Sequence, residues 1–387
     1  MLRPTQRLSS RLNRTEMSWR EKIWQINWSL IAVLTAIASV GFLTLYSAAK
    51  GSLEPWAIKQ MIRFAMGIGL MITVAVVDLR FWMRHAYILY AVSIVLLIAV
   101  DLKGTIGMGA QRWIDLGFIQ LQPSEIMKIA MILTLARYFH GASVQDVGRP
   151  TFLIPPLLLV LLPVALVMKQ PDLGTAMMVL MSSGAIFFMA GVRIWKFALL
   201  LAGGLGSIPV AWQFLHDYQK KRVIIFLNPD QDPLGAGYHI TQSKIALGSG
   251  GLFGKGYMNG TQSGLNFLPE KQTDFIFTMY GEEWGLMGGL FLLGLYVLLT
   301  AFGYAIAMRC RAQFGRLVAL GITTTFFLYF FINTAMVMGL VPVVGVPLPL
   351  ISYGGTAMLS LLFGWGLVMS AYIHRDLPIG RRGGHDD

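Results

Sequence analysis

Charge is scarce in this chain. Asp, Glu, Lys and Arg make up 13% of its 387 residues, against about 25% in soluble domains. Too little polar side chain remains to cover a globule in water, which argues against a soluble protein. Cysteine is nearly absent: Cys310 stands alone, so no intrachain disulfide can form. The six histidines, at 85, 140, 216, 239, 374 and 385, show no metal-ligand spacing, and His239 reads as an interfacial helix residue. Gly248 to Gly264 is dense in glycine but lacks the strand-to-helix context of a Walker loop or a Rossmann turn. It reads as flexible or closely packed backbone, with a lid as one use.

What the chain does have is long apolar runs, among them Ser29–Ala49, Tyr87–Val100 and Phe152–Met168. A helical membrane span needs about 20 mainly apolar residues. The runs are continuous rather than alternating, which selects helices over a barrel. The expectation is an all-α polytopic membrane protein of about ten transmembrane helices, near 27–49, 56–77, 83–101, 123–140, 151–168, 172–191, 195–215, 274–308, 315–340 and 350–373. The eighth is long enough to be a tilted helix with a cytosolic extension.

Lysine and arginine fall on alternate connections: before the first span, at Arg80 and Arg84, at Arg137 and Arg149, at Arg193 and Lys196, at Arg309–Arg316, and after the tenth. By the positive-inside rule these are cytoplasmic, and so are both termini. The division expected is a basic tail 1–26, a transmembrane domain 27–373 with a large outer loop at 216–273, and a second tail 374–387. The net charge of +12 is then largely topogenic and no sign of nucleic-acid binding. The basic head is too long, and the first apolar run too long, for a cleavable signal peptide. Arginines 3, 7, 11 and 14 suit either a helical stripe on anionic lipid or a disordered tail.

Against this apolar background a few polar stretches stand out. Pro269–Phe277 sets Lys271 and Asp274 where the large outer loop meets the eighth span. A charge at such a boundary can meet a lipid's polar head and apolar tail together. Thr273 is a plausible cap, and a helix-starting acid is the structural alternative for Asp274. Arg112, in the glycine-rich loop 104–122, offers planar donors suited to phosphate; a turn pair with Asp115 is the alternative. Glu125 and Lys128, three residues apart after Pro123, share one helix face inside a predicted span, where ionisable residues mark a pathway or a pair. Asp172 follows Pro171 and suits a helix start; a functional role requires it to face Lys128's cavity. Tyr238–Leu247 reads as an interfacial amphipathic helix. Glu282 and Glu283 lie roughly 12–14 Å beyond Asp274, too far for an acid–base dyad, and read as structural. Gly281, Gly285 and Gly289 form a face for helix contact.

These residues resemble the SEDS family (shape, elongation, division and sporulation). The resemblance spans nearly the whole membrane region and excludes residues 1 to about 22. It rests on Gly109-Ala110-Gln111-Arg112-Trp113, Gln122-Pro123-Ser124-Glu125, Gln170-Pro171-Asp172-Leu173-Gly174-Thr175 and Asp232–Tyr238. A late signature adds Asn333, Gly339, Pro342, Gly345 and Pro347-Leu348-Pro349-Leu350-Ile351-Ser352-Tyr353-Gly354-Gly355-Thr356. His216-Asp217-Tyr218 and Gly235–Gln242 favour its elongation branch.

The resemblance implies a GT-C-like fold and a peptidoglycan glycosyltransferase that polymerises lipid II in the bacterial cytoplasmic membrane. It makes Asp274 the essential acid and Glu125 and Lys128 a paired acid and lysine. Arg112, Glu125, Lys128, Asp172 and Lys271 become the candidate substrate-binding residues. A divalent cation, Mg or Mn, is a candidate cofactor. The implied partners are lipid II, the growing glycan strand, a class B penicillin-binding protein and membrane proteins of the elongation complex. The alternatives are a lipid II transporter, disfavoured by the lack of an evident inverted repeat, and a non-catalytic scaffold.

Overall fold

The computed structural model describes residues 18–107, 110–115, 120–214, 220, 224–226, 228, 236–261, 271–377 and 379–380. The basic head to Met17, Gly109, the 216–218 and 232–235 motifs and Pro269–Glu270 lie outside them. In chain order the helices are α1 (Trp19–Trp24), α2 (Trp28–Ala48), α3 (Ala57–Val76), α4 (Leu79–Lys103), α5 (Pro123–His140), α6 (Val144–Gly148) and α7 (Pro150–Lys169). Then come α8 (Leu173–Met189), α9 (Ile194–Phe214), α10 (Ala236–Ser249), α11 (Ile276–Arg309), α12 (Gln313–Val337) and α13 (Gly355–Ile373). Each of the ten expected spans coincides with one helix of this series. Seven of them (α2, α3, α4, α7, α11, α12 and α13) are long and apolar enough to cross a membrane.

Local chemistry explains several helix starts. Asn27 accepts from the Leu30 amide at 3.2 Å, and Asp78 from the Arg80 amide at 2.8 Å. The second cap starts α4 at Leu79, four residues before the expected 83. Pro123 opens α5, where a missing amide hydrogen is no loss.

The bundle has a centre. In the most apolar stretch of α12, 78% of residues are buried, and in α13 72%, against 28–39% in the other five. α13 packs along α3, and α12 against α11, α8 and α5. Small residues allow close approach: a Cβ on Gly303 would meet the Thr323 hydroxyl, and one on Gly366 the Met71 carbonyl. Outward-facing leucines such as Leu158, Leu199 and Leu201 are exposed, as a lipid-facing surface requires.

Four expectations change. Loop 104–122 carries a small antiparallel sheet, β1 (Thr105–Gly107), β2 (Ala110–Asp115) and β3 (Gln120–Leu121), in the order β1-β2-β3. The tenth helix begins at Gly355, because residues 349–351 form a turn and 352–354 are not helical. The eighth begins at Ile276 without a side-chain cap, so Thr273 does not cap it. Gly285 makes its close contact with the segment after α10 and not with a helix: its φ of +64° kinks α11, and its Cβ position would lie 2.3 Å from the Gly254 amide nitrogen. The segment after α10 is closely packed there: Leu286 and Met287 amides donate to the Gly251 and Leu252 carbonyls at 3.0 and 3.1 Å.

Candidate active site

Asp274 lies in the turn 271–275, before α11 rather than in it. The segment between α12 and α13 grips that turn through its backbone. Ser352 Oγ donates to the Thr273 carbonyl at 2.6 Å, and the Tyr353 amide to the Gln272 carbonyl at 2.8 Å. Asn333, fully buried in α12, donates through Nδ2 to the carbonyls of Asp274 at 2.9 Å and Val346 at 2.7 Å. The gripping segment is itself held. Ser352 Oγ accepts from the Leu348 amide at 2.8 Å, Tyr296 donates to the Pro349 carbonyl at 2.6 Å, and Gln60 Nε2 to the Ser352 carbonyl at 2.9 Å. A Cβ on Gly345 would stand 3.5 Å from Asp274 Oδ2. Its φ of +72° suits glycine, so the chain passes the carboxylate with no side chain between.

Lys271 is buried in the same turn. Burial pushes its pKa below the ordinary lysine value, and the neighbouring Lys50 ammonium pushes the same way.

Glu125 and Lys128 meet at 2.7 Å on the inward face of α5, both buried. Tyr329 of α12 donates to the Glu125 carboxylate at 2.8 Å and contacts Lys128 Nζ. Ser360 of α13 donates to Glu125 Oε2 at 3.1 Å. These four residues line one small cavity with Ile132, Ile322 and Gly364. The pair therefore ties three helices together at a polar point inside the bundle.

Arg112 does not take the pairing with Asp115 that the sequence left open. From β2 it reaches Asp172 at 3.5 Å (Nε to Oδ2) and donates to the Pro171 carbonyl at 2.7 Å. Asp172 also caps α8, accepting from the Thr175 amide at 3.2 Å and hydroxyl at 2.8 Å. It is not among the residues that line the small cavity of Lys128. Glu282 accepts from Lys255 at 2.8 Å and from the Thr261 amide at 2.8 Å. Glu283 accepts from Ser47. Both bind the glycine-dense segment and α2 to α11, a structural use.

The sequence did not single out Tyr329 or Ser360 as site residues. A polar side chain within an apolar run was the available signal, but such residues recur along these helices and only the fold selects these two. Among the described residues no three His, Cys, Asp or Glu side chains gather into a metal site.

A model of the FtsW/RodA/SpoVE cell cycle proteins matches residues 23–377. The chain belongs to this family. The FtsW/RodA/SpoVE match covers all the clusters just described. The peptidoglycan glycosyltransferase MrdB of Escherichia coli K12 is 46% identical over 357 residues, 90% of this chain and 94% of that protein. Among solved structures, a chain from a peptidoglycan synthase complex that coordinates polymerization and crosslinking superposes with a TM-score of 0.80. It is 32% identical, over 91% of this chain and 99% of that one. The rod shape determining protein RodA of Thermus thermophilus gives a TM-score of 0.68 at 30% identity, over 91% and 98%.

Proposed function

We propose that this chain is a peptidoglycan glycosyltransferase that polymerises lipid II into glycan strands during cell elongation, with Asp274 as general base. The observation that carries the assignment of the base is the backbone grip on residues 272–274. A carboxylate held by its own main chain keeps its position while its side chain exchanges a proton. Relatives of this length and identity that bear the glycosyltransferase name support the reaction class.

The acceptor's GlcNAc 4-hydroxyl gives its proton to Asp274. The freed oxygen bonds to C1 of the donor MurNAc. The bond from C1 to the pyrophosphate oxygen breaks, and undecaprenyl pyrophosphate leaves with the electron pair. A positioned base contributes about 10²–10⁴-fold. No second carboxylate is needed, since the pyrophosphate leaves as an anion. Glu125, Lys128, Arg112 and Asp172 act by fixing α5, β2 and α8 around the donor, and Lys271 adds positive charge beside the base. The described residues do not build a resident metal cage. A magnesium ion bound mainly by substrate phosphates asks for few protein carboxylates, and no step above depends on one.

The membrane is the bacterial cytoplasmic membrane, with both termini inside and Asp274 on the outer side, as the lysine and arginine distribution indicates. A class B penicillin-binding protein is the fitting partner, because a solved relative belongs to a complex that crosslinks as well as polymerises. Purified chain, with that partner, is given labelled lipid II. Glycan polymer is the expected product. Leaflet exchange without polymer makes the chain a transporter, and neither result with an active partner present makes it a scaffold.

A further inference from the structure

The leaving pyrophosphate needs positive charge. Two of the cations the sequence put forward are already engaged: Lys128 holds Glu125 at 2.7 Å, and Arg112 faces Asp172 at 3.5 Å. Another cation is not engaged in this way. Arg63 lies two turns into α3, about 9 Å from its start at 1.5 Å per residue. Among the described residues no carboxylate pairs with it, and its Nη1 is buried with no hydrogen-bond partner. An unpaired arginine at this depth in an apolar bundle needs an explanation.

Its surroundings supply one. The guanidinium carbon stands 4.8 Å from the centre of the Tyr353 ring. A Cβ on Gly355 would lie 3.1 Å from Arg63 Nε and 3.2 Å from its Cζ. Arg63 therefore lies against the first residue of α13, where a side chain would press on the guanidinium. The N-cap of that helix is Gly354, with no side-chain cap, so its leading amides have no partner within the helix. Thr356, the next residue, is only 5% exposed, and its hydroxyl also lacks a hydrogen-bond partner. One guanidinium, one hydroxyl and the amides of a helix start thus offer donors together, the chemistry of a phosphate site. Gln60, one turn earlier on α3, fixes the adjoining turn through the Ser352 carbonyl. Tyr353, under the guanidinium, hydrogen-bonds Gln272, two residues before Asp274.

We propose that Arg63 and the first turn of α13 form a binding site for a phosphate of the polyprenyl pyrophosphate carrier. This rests on the lipid-linked donor of the preceding reading and goes beyond it by naming Arg63, which the sequence did not single out, and by giving the first turn of α13 a ligand. Tyr353 would then couple the phosphate to the backbone that holds the base.

The test is direct binding by the full chain in neutral phosphatidylcholine nanodiscs. Undecaprenyl pyrophosphate is titrated into wild type, Arg63→Gln, Arg63→Lys and Thr356→Val, with phosphatidylglycerol and inorganic pyrophosphate as parallel probes. Arg63→Gln should weaken undecaprenyl pyrophosphate by at least about tenfold, the equivalent of one charge-assisted hydrogen bond. Arg63→Lys should lie between, and phosphatidylglycerol binding should be unchanged. Inorganic pyrophosphate should compete in wild type and lose that competition in Arg63→Gln. Equal affinity in wild type and Arg63→Gln overturns the proposal. So does an equal loss for phosphatidylglycerol, which makes Arg63 a general lipid contact. Should Arg63→Gln fail to fold, Thr356→Val carries the same comparison. Wild type that binds the carrier yet makes no polymer sinks the polymerase reading and leaves this site standing. Normal polymerisation and normal carrier affinity in Arg63→Gln does the reverse.

Discussion

Asn333 donates to the backbone carbonyl of Asp274 at 2.9 Å. The same nitrogen donates to Val346 at 2.7 Å, so one amide group joins α12, the turn before α11 and the segment before α13. Under the proposed mechanism Asn333 is a positioning residue for Asp274, acting through main chain. Asn333→Leu leaves two carbonyls without this donor, each worth about 1–3 kcal/mol when buried. The expected result is a fall in kcat larger than any rise in KM, with a lower unfolding temperature. Asn333→Asp, which keeps shape and removes the donor, should show the same kcat loss. Unchanged kcat in a folded Asn333→Asp protein would show that the grip is dispensable.

Asp274→Asn tests the base itself. The swap keeps size and leaves the main-chain bonds to Asn333 in place, so the unfolding temperature should stay near wild type. Polymerisation should fall by at least about 10²-fold. Near-wild-type glycan synthesis by this variant, measured with the activating partner present, would remove Asp274 from the mechanism.

The Glu125–Lys128 pair makes a different prediction. Removing one partner of a buried pair costs about 3–5 kcal/mol, because the other charge is left uncompensated. Lys128→Met should therefore lower the unfolding temperature and the activity together. Adding Glu125→Gln should restore much of the stability. If the double variant regains stability but not turnover, the pair acts on substrate as well as on packing. If both return together, the pair is structural.

How far the sequence carried these assignments depends on the reach of each interaction. Glu125 and Lys128 are three residues apart, and helix spacing alone brings them together. Arg112 and Asp172 are sixty residues apart, and no local rule joins them. Loop 104–122 read as irregular because its strands are two to six residues long, too short for a clear period. The Gly285 kink was hidden because its cause lies in another segment, at Gly254. The grip on Asp274 was partly visible: Asn333, Gly345 and Ser352 all stand in the late signature, but their shared target appears only once α12, α11 and α13 are packed.

Lys271 gives a pH prediction. Burial disfavours its ammonium form, so it loses its proton at lower pH than a free lysine. Binding of an anionic lipid substrate should then weaken on the alkaline side earlier than an ordinary lysine would allow. Arginine stays protonated throughout. Lys271→Arg should shift the alkaline limb of kcat/KM upward in pH. An identical alkaline limb in both proteins would mean that Lys271 does not meet the substrate's charge.

Sidedness is the condition on which the reaction depends. Lipid II is polymerised outside the cytoplasmic membrane, so the turn that holds Asp274 must open there, and the arginine-rich connections must lie inside. Cys310 is buried and makes a poor reporter, so the test uses a Cys310→Ser background. Asn259, exposed in the segment between α10 and α11, and Arg193, exposed between α8 and α9, are each changed to cysteine. In cells with a permeable outer barrier, a membrane-impermeant thiol reagent should label Asn259→Cys at once. Arg193→Cys should label only after the cytoplasmic membrane is disrupted. The segment carrying Asn259 is bonded to α11 just past the turn of Asp274, through Lys255 and Glu282, so its side is the side of the base. The opposite labelling pattern would invert the topology and leave Asp274 facing the cytoplasm. No glycan strand could then be built at that carboxylate, and the polymerase assignment would fall with it.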